Sequence, residues 1–559
     1  MATGTDGPAA GMNPVTLSKM LKNKFGTMHK ISLILAVLLL ISSCGDDFFV
    51  RPPGNLLTVE EFYQTEEDLF MATAPLYNIF WYDFIDNIKY ELGDSRGGLM
   101  NALGNTYEMI AFIETADNPR LANAWQSFYK VIMNANMVIE NIEERSSDDI
   151  ARLVKDHRIA EARFMRGVAY LYLAQLWGHV PIIYNTQKLL DNPNVYRNFR
   201  DDVFQFAIND LKFAEENLVL EDVPGSVTTW SAKSMLARAY LILAYYESQG
   251  GMLVQEHLDL AREYAHDVIY NSPHHLMEDY ADLFKRQYNN NPESIFALQW
   301  TTEGDFWGRQ NMTQAIFAPE GRITGAGDGW GGAKSPSLYL IRLFDFPQSG
   351  DNRRKPTFMA HGDHYPEILQ NQGGYTFERS GSRSTAIKKY VIGHADDNDG
   401  KVDFMTTDIN TYMIRLAEVY LIYAEAILGN SQETNDSEAM RYFNKLRERA
   451  GVPFMQSITH RDILHERARE FAFEGKYWYE LLKYFHWRPQ EAIDYINNQE
   501  RMTWVVYNSN DDPTTYSLRP PNETLTITES RFLMHYPEAD ASANPNLLMD
   551  PVPFDFDLQ

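Results

Sequence analysis

The chain carries a single cysteine, Cys44, among 559 residues. An internal disulfide is therefore impossible and a thiolate metal site is not expected, so this residue must do other chemistry. The 14 histidines are scattered. Adjacent His274 and His275 would point in different directions on any regular element, and neither His-Glu-x-x-His nor His-x-His occurs. The acidic run Asp396-Asp397-Asn398-Asp399-Gly400 has the composition of a calcium loop. With Gly400 at the sixth position, however, Ala395 falls on the first and Thr406 on the twelfth, where carboxylates are required, so it reads as a solvated turn. Paired carboxylates for glycoside hydrolysis leave no local spacing to recognise and stay open. His465-Glu466-Arg467-Ala468-Arg469-Glu470 with Glu474 has the i to i+3 and i+4 spacing of a salt-bridge network on a helix. No active site, metal site or cofactor cradle emerges.

Aromatic residues offer a different chemistry. They make up 13% of the chain, with 10 Trp and 32 Tyr, and such rings either pack helices or stack on flat, hydroxylated ligands. Trp81 and Tyr82 precede a glycine-rich segment, Glu91–Gly98, that also holds Asp94 and Arg96. That segment lacks the Lys-Ser/Thr ending of a phosphate cradle. Trp300, Trp307, Trp330 and Tyr339 lie in a stretch, 289–408, where glycines and prolines become frequent and helical periodicity is lost. Loops of this kind carry function more often than packed helices do. A formal net charge of −26 argues against nucleic acid or an anionic membrane surface as a partner.

From Met28 the sequence runs MHKISLILAVLLLISSCGDD. The apolar run Ile31–Ile41 suits a secretion signal and is too short to span a bilayer. It ends in Leu40-Ile41-Ser42-Ser43-Cys44, which resembles a bacterial lipobox, with Cys44 as the lipidated first residue of the mature protein. Residues 1–43 are then an upstream extension and lipoprotein signal, and 44–57 a polar tether. A plain secretory signal with an incidental cysteine is the alternative.

The mature chain reads as mainly α-helical. Its centre is His157–Tyr184, apolar over most of a helical circumference, with Glu161, Arg163 and Arg166 on what remains of a polar face and a stop at Gly178 and Pro181. Further helices are expected over Val59–Phe80, opened by a Thr58/Glu61 capping box, and over Ala122–Ile142, Phe204–Leu218, Trp230–Glu247, Glu256–Tyr270, Met413–Leu428 and Ser437–Ala450. Small residues Ala232, Ala237, Ala239 and Ala244 allow close helix approach, and the paired helices resemble tetratricopeptide repeats with irregular spacing. The length suggests two or more lobes, with a helical region over 58–288 and a second, loop-rich region over 289–559.

Five segments in order behind the lipobox carry a resemblance. They are Thr65-Glu66-Glu67-Asp68-Leu69, Glu161–Arg166 with Leu176–Pro181, Asn291-Pro292-Glu293-Ser294-Ile295-Phe296, Arg415–Val419 with Tyr423–Ala426, and Glu466–Gly475. Together they resemble the SusD/RagB family of outer-membrane lipoproteins of the Bacteroidetes. The resemblance implies a SusD-like fold with tetratricopeptide-like helix pairs and a loop-rich ligand face. It implies a surface-exposed, lipid-anchored protein that captures oligosaccharides and passes them to a SusC-type TonB-dependent transporter, without catalysis or cofactor. In the RagB branch the ligand is a peptide. A lipid-anchored glycan hydrolase and a purely structural helical scaffold are the readings from other classes. The regions that hold glycans in the family correspond here to Trp81, Tyr82, Asp94 and Arg96, and to Trp300, Trp307 and Trp330.

Overall fold

A computed structural model of the chain describes residues 62–86, 88–103, 106–304, 307–378, 384–507, 516–521 and 526–559. Cys44, its leader and tether, and the expected Thr58/Glu61 helix start lie outside these residues. Among the described residues no helix is long and apolar enough to cross a membrane.

The first described helix, α1 (Glu66–Thr73), is shorter than expected. Its capping box is Thr65 with Asp68, and it gives way to tight single turns at Ala74-Pro75, because proline cannot donate the next helical hydrogen bond. The helix α2 (Pro119–Arg145) starts under an Asn118 side-chain cap with proline at its first position. It leads to α3 (Arg152–Trp177), the central helix, which ends at Gly178 as the sequence indicates. Glu161 and Arg166 are not on a solvated face. Glu161 is buried and accepts from Tyr77 Oη at 2.5 Å and Thr73 Oγ1 at 3.0 Å, which ties the α1 segment down. Arg166 is buried as well and holds Asp210 through two bonds of 2.7 Å. A helix apolar on so many sides can carry polar side chains only where each finds a partner inside.

Asp210 belongs to α4 (Arg200–Asn217), which packs on α3, and α4 is followed by α5 (Thr229–Tyr246) and α6 (Gln255–Asn271). Neighbours in sequence pack as neighbours in space: α2 on α3, α3 on α4, α4 on α5 and α5 on α6. The alanines of α5 at 232, 237, 239 and 244 are all at 0% exposure, consistent with close helix approach. The array then continues with α7 (Leu416–Leu428), packed on α6, and α8 (Ser437–Ala450), packed on α7. The expected helix start at Met413 is corrected, since Thr411–Arg415 is a strand antiparallel to Ser294–Leu298. That strand pair and the α6–α7 contact cross the 288/289 division. Residues 63–559 form one compact unit rather than separate lobes.

At its centre lies a lattice of buried ions. Arg415, at 0% exposure, bonds Glu293 at 2.6 Å, Glu470 at 2.7 Å and Glu474 at 2.8 Å. Arg353 joins Asp351, Glu466 and Glu470 at 2.6–3.0 Å, Lys389 meets Glu474 at 3.0 Å, and Arg449 spans Glu293 and Glu470. Glu466 and Glu470 lie on α9 (His460–Glu470). The charged run 465–474 is thus a network, as its spacing suggests. Its principal partners are remote in sequence, though, and it is buried rather than displayed on a helix surface.

The expected glycine-rich loop at 91–98 is also corrected. Glu91–Ser95 forms a buried π-helical turn. A Cβ on Gly93 would stand 2.1 Å from the Gly475 carbonyl carbon, so the two segments can meet only through bare backbone.

Candidate ligand-binding face

The seven residues singled out around aromatic and charged positions separate into two groups. Asp94 and Arg96 are at 0% exposure and belong to the interior, a correction to their expected ligand role. The Asp94 carboxylate accepts from the backbone N–H groups of Phe473 at 2.9 Å and Gly475 at 2.7 Å, while burial pushes its carboxyl up to about 7. Arg96 lies between the Phe112 and Trp478 rings, bonds Glu114 at 2.8 Å and donates to the Arg531 carbonyl. Trp81, also fully buried, donates to the Leu76 carbonyl at 2.9 Å and meets Phe128 edge-on. These three hold the fold and present nothing to a ligand.

Tyr82, Trp300, Trp307 and Trp330 gather differently. Tyr82, on the short helical turn Tyr82–Ile85, sits between Trp300 and Trp307, with ring centroids at 6.5 and 6.0 Å and both contacts edge-on. Tyr82 Oη donates to Met312 Sδ, and Trp300 Nε1 donates to Thr411 Oγ1 at 2.9 Å. Both rings are nearly buried and form a floor. Trp307 rests on that floor and is 58% exposed. Beside it runs a groove of about 510 Å³ lined by Thr301, Glu303, Gln310, Asp399 and Asp403 among others.

The far wall of the groove is a hairpin made of Val402–Asp403 and Thr406–Thr407, antiparallel to each other. Its base is pinned by Asn311, which exchanges backbone bonds of 2.9 Å with Thr407 in both directions. Its tip is pinned by Asp328, whose carboxylate accepts from the Met405 N–H at 2.6 Å. Phe404 projects at that tip, 46% exposed, and meets Trp330, itself 49% exposed, edge-on at 5.9 Å. Trp330 is set by the turn before it. There Gly329 at φ 104° sits so close to Glu320 that a Cβ would fall 2.7 Å from its carbonyl carbon. Exposed Trp307 and the exposed Trp330–Phe404 pair therefore border one hairpin from two sides. Contiguous exposed apolar rings with polar surroundings mark binding surfaces.

Two other cavities have comparable volume, about 490 Å³ beside Lys355, Tyr365 and Lys388 and about 440 Å³ beside Val223, His274 and Asn290. Trp230, the tryptophan that lines the second, is 8% exposed, so neither offers an open indole. Among the described residues no group of three or more His, Cys, Asp or Glu is poised around a metal. Asp397 in the acidic run instead accepts from the backbone N–H groups of Leu369, Gln370 and His394, which makes it a turn brace. Tyr339 lies away from the groove, joined through its hydroxyl to Tyr477 and Tyr495. Phe404 and Asp403 escaped the reading of the sequence. Their signal was a four-residue turn, headed by Asp403 and flanked by β-branched Val402 and Thr406-Thr407.

Residues 292–551 match the SusD family, and residues 91–241 match a family described as starch-binding and associating with outer membrane. A SusD-like protein of Bacteroides ovatus is 38% identical over 545 residues, covering 94% of this chain and 98% of the relative. A crystal structure solved with a xylogluco-oligosaccharide superposes with a TM-score of 0.81 at 37% identity, over 87% of this chain and 99% of that one. The starch-binding protein SusD of Bacteroides thetaiotaomicron is 23% identical over 58% of this chain and 64% of its own length. On the evidence of near-complete coverage by a relative this similar, together with the shared helical array, the chain belongs to the SusD family.

Proposed function

We propose that this chain binds oligosaccharides on the face built from Trp307, the groove beside it and, across the Val402–Thr407 hairpin, Trp330, with Tyr82 and Trp300 beneath Trp307. The observation that carries the reading is the exposure of these two indoles beside one hairpin, Trp307 at its groove and Trp330 against Phe404 at its tip, while Trp81, Trp300, Trp177 and Trp478 are buried. A sugar ring has an apolar face that stacks on indole and a hydroxyl edge that bonds amides and hydroxyls, and Gln310 and Thr301 supply the second kind of group. The 37% identity to a structure solved with a xylogluco-oligosaccharide supports that glycan class as the first to try. In this reading the protein is anchored through acyl chains on Cys44 to the extracellular face of the outer membrane and hands its ligand to a SusC-type TonB-dependent transporter. The lipobox-like LISSC segment and the family description support the anchoring, since several acyl chains hold a protein firmly. A Cys44→Ala chain that still sediments with membranes would sink the anchor. Purification of the native lipoprotein free of any β-barrel would sink the pairing.

The soluble protein from Gly45 onward, titrated calorimetrically with xylogluco-oligosaccharide, other plant and microbial glycans and a peptide digest, tests the ligand. Saturable binding to a glycan class is expected. Silence on every glycan with binding of peptides would replace this reading with a RagB-type peptide carrier.

A further inference from the structure

The Val402–Thr407 hairpin has features that a simple connecting turn does not need. Its tip is fixed from outside by Asp328, a residue of the very turn that displays Trp330, so the hairpin and that indole are braced to each other. Asp403 Oδ1 accepts from the Phe404 N–H at 2.7 Å and Thr406 Oγ1 donates to the Phe404 carbonyl at 3.0 Å, which fixes the backbone that carries the ring. An exposed phenyl on a rigid support loses little conformational freedom when something stacks on it.

The groove on the other side of the same hairpin is acidic. Its lining carries Glu303, Asp399 and Asp403, against Lys401 alone. The Glu303 and Asp399 side chains are 79% and 88% exposed and so face the solvent that a ligand would displace. The neighbouring cations are engaged. Lys401 pairs with Glu303 at 2.9 Å, Arg286 with Asp399 at 3.0 Å and with Asp408 at 2.8 Å, and Arg309 donates to the Glu303 carbonyl at 3.3 Å. Among the described residues no cation of the lining is left over for a carboxylated or sulfated sugar, and like-charge juxtaposition discriminates against wrong partners.

We propose that this hairpin is the specificity element of the face: Phe404 adds a stacking ring beside Trp330, and the carboxylates around the hairpin select neutral oligosaccharides over acidic ones. The proposal rests on the glycan-binding reading above and narrows it to a substrate class. One set of titrations tests both halves with separable outcomes. The soluble protein, Phe404→Ala, and the triple variant Glu303→Gln/Asp399→Asn/Asp403→Asn are each titrated with a neutral xylogluco-oligosaccharide and with an oligogalacturonate, at low and at moderate salt. Thermal unfolding of each variant checks that the fold is kept, and Asn at 403 retains the acceptor for the Phe404 N–H. Phe404→Ala is expected to weaken the neutral ligand about tenfold, the scale of one aromatic contact. The triple variant is expected to keep neutral affinity within about twofold while strengthening oligogalacturonate binding about fivefold, more at low salt, where exposed charges are least screened. Unchanged affinity in Phe404→Ala overturns the stacking role. An unchanged ratio of neutral to acidic binding in the triple variant overturns the charge selection. Failure of the unaltered protein to bind any glycan overturns the functional reading and this proposal with it.

Discussion

Arg415 and Trp307 lie in the same half of the chain and are put to opposite uses. The Arg415 guanidinium is completely enclosed and bonds three glutamates that come from segments far apart in sequence. Trp307 touches Tyr82 along one edge and leaves more than half of its surface in water. The charged residue, which intuition places outside, is structural, and the apolar one, which intuition places inside, is on display. Each inversion costs free energy, and each makes sense only through what surrounds the residue. A buried guanidinium is tolerable because every carboxylate around it is matched. An exposed indole is tolerable in a binding protein because its partner comes from outside.

Acid should destabilise the first region. Burial alone would raise the carboxyls of Glu418, Glu466 and Glu474. The charges of Arg238 and Lys476, of Arg353 and Arg469, and of Arg415 and Lys389 more than offset it and hold each carboxyl at about 2, below the ordinary 4.5. A carboxyl depressed in the folded state contributes stability in full above its unfolded value and loses it as pH falls through the folded one. Each shift corresponds to about 3 kcal/mol at 1.36 kcal/mol per pH unit. Denaturant unfolding at a series of pH values should therefore show stability falling by several kcal/mol between pH 4.5 and 2. A flat profile down to pH 3 would mean that the lattice does not hold these protons off.

Removing one member of the lattice at neutral pH is the next largest perturbation. Arg415→Met leaves Glu293, Glu470 and Glu474 facing one another with less compensation, and a loss of about 3–5 kcal/mol is expected. Urea unfolding would measure it, and a loss below 1 kcal/mol would show that Arg449 and Lys389 suffice. Glycan affinity of the folded fraction should stay within about twofold, since no atom of the lattice lines the groove.

How far the sequence spoke for itself differs between these regions. The central helix was legible because a nearly unbroken apolar circumference ending in Gly178 and Pro181 admits few other readings. The loss of helix after Thr73 was missed: Pro75 marks it, but the periodicity around it carried the expected helix on to Phe80. Met413 and Ile414 continue the apolar pattern of α7 backwards, and only pairing with Ser294–Leu298 makes them strand. The run 465–474 showed its charges but not their partners, because Glu466 and Glu470 reach Arg353 and Arg415 through tertiary contacts that no local spacing encodes. The candidate site suffered the same limit. Trp81, Trp300, Trp307 and Trp330 are alike as letters, and tertiary structure places Trp81 at 0% exposure and Trp307 at 58%. Asp94 and Arg96 stood as ligand groups because the family resemblance places a glycan-holding loop in their region. The glycines are there to let Gly93 meet Gly475.

The smallest of these perturbations speaks most directly to function. Trp307→Ala removes an indole that is 58% exposed, so only the smaller, inward part of its surface is lost and unfolding free energy should change by no more than about 1 kcal/mol. Tyr82 and Trp300 keep anchors of their own beneath it, at Met312 and Thr411. Glycan affinity should fall about tenfold, by roughly 1.4 kcal/mol. The pairing of the two readouts carries the argument. Arg415→Met is expected to move stability and spare affinity, whereas Trp307→Ala is expected to move affinity and spare stability. If Trp307→Ala instead lowers stability by 2 kcal/mol or more with affinity unchanged, the indole is a packing residue after all, and the ligand must be sought at another of the cavities.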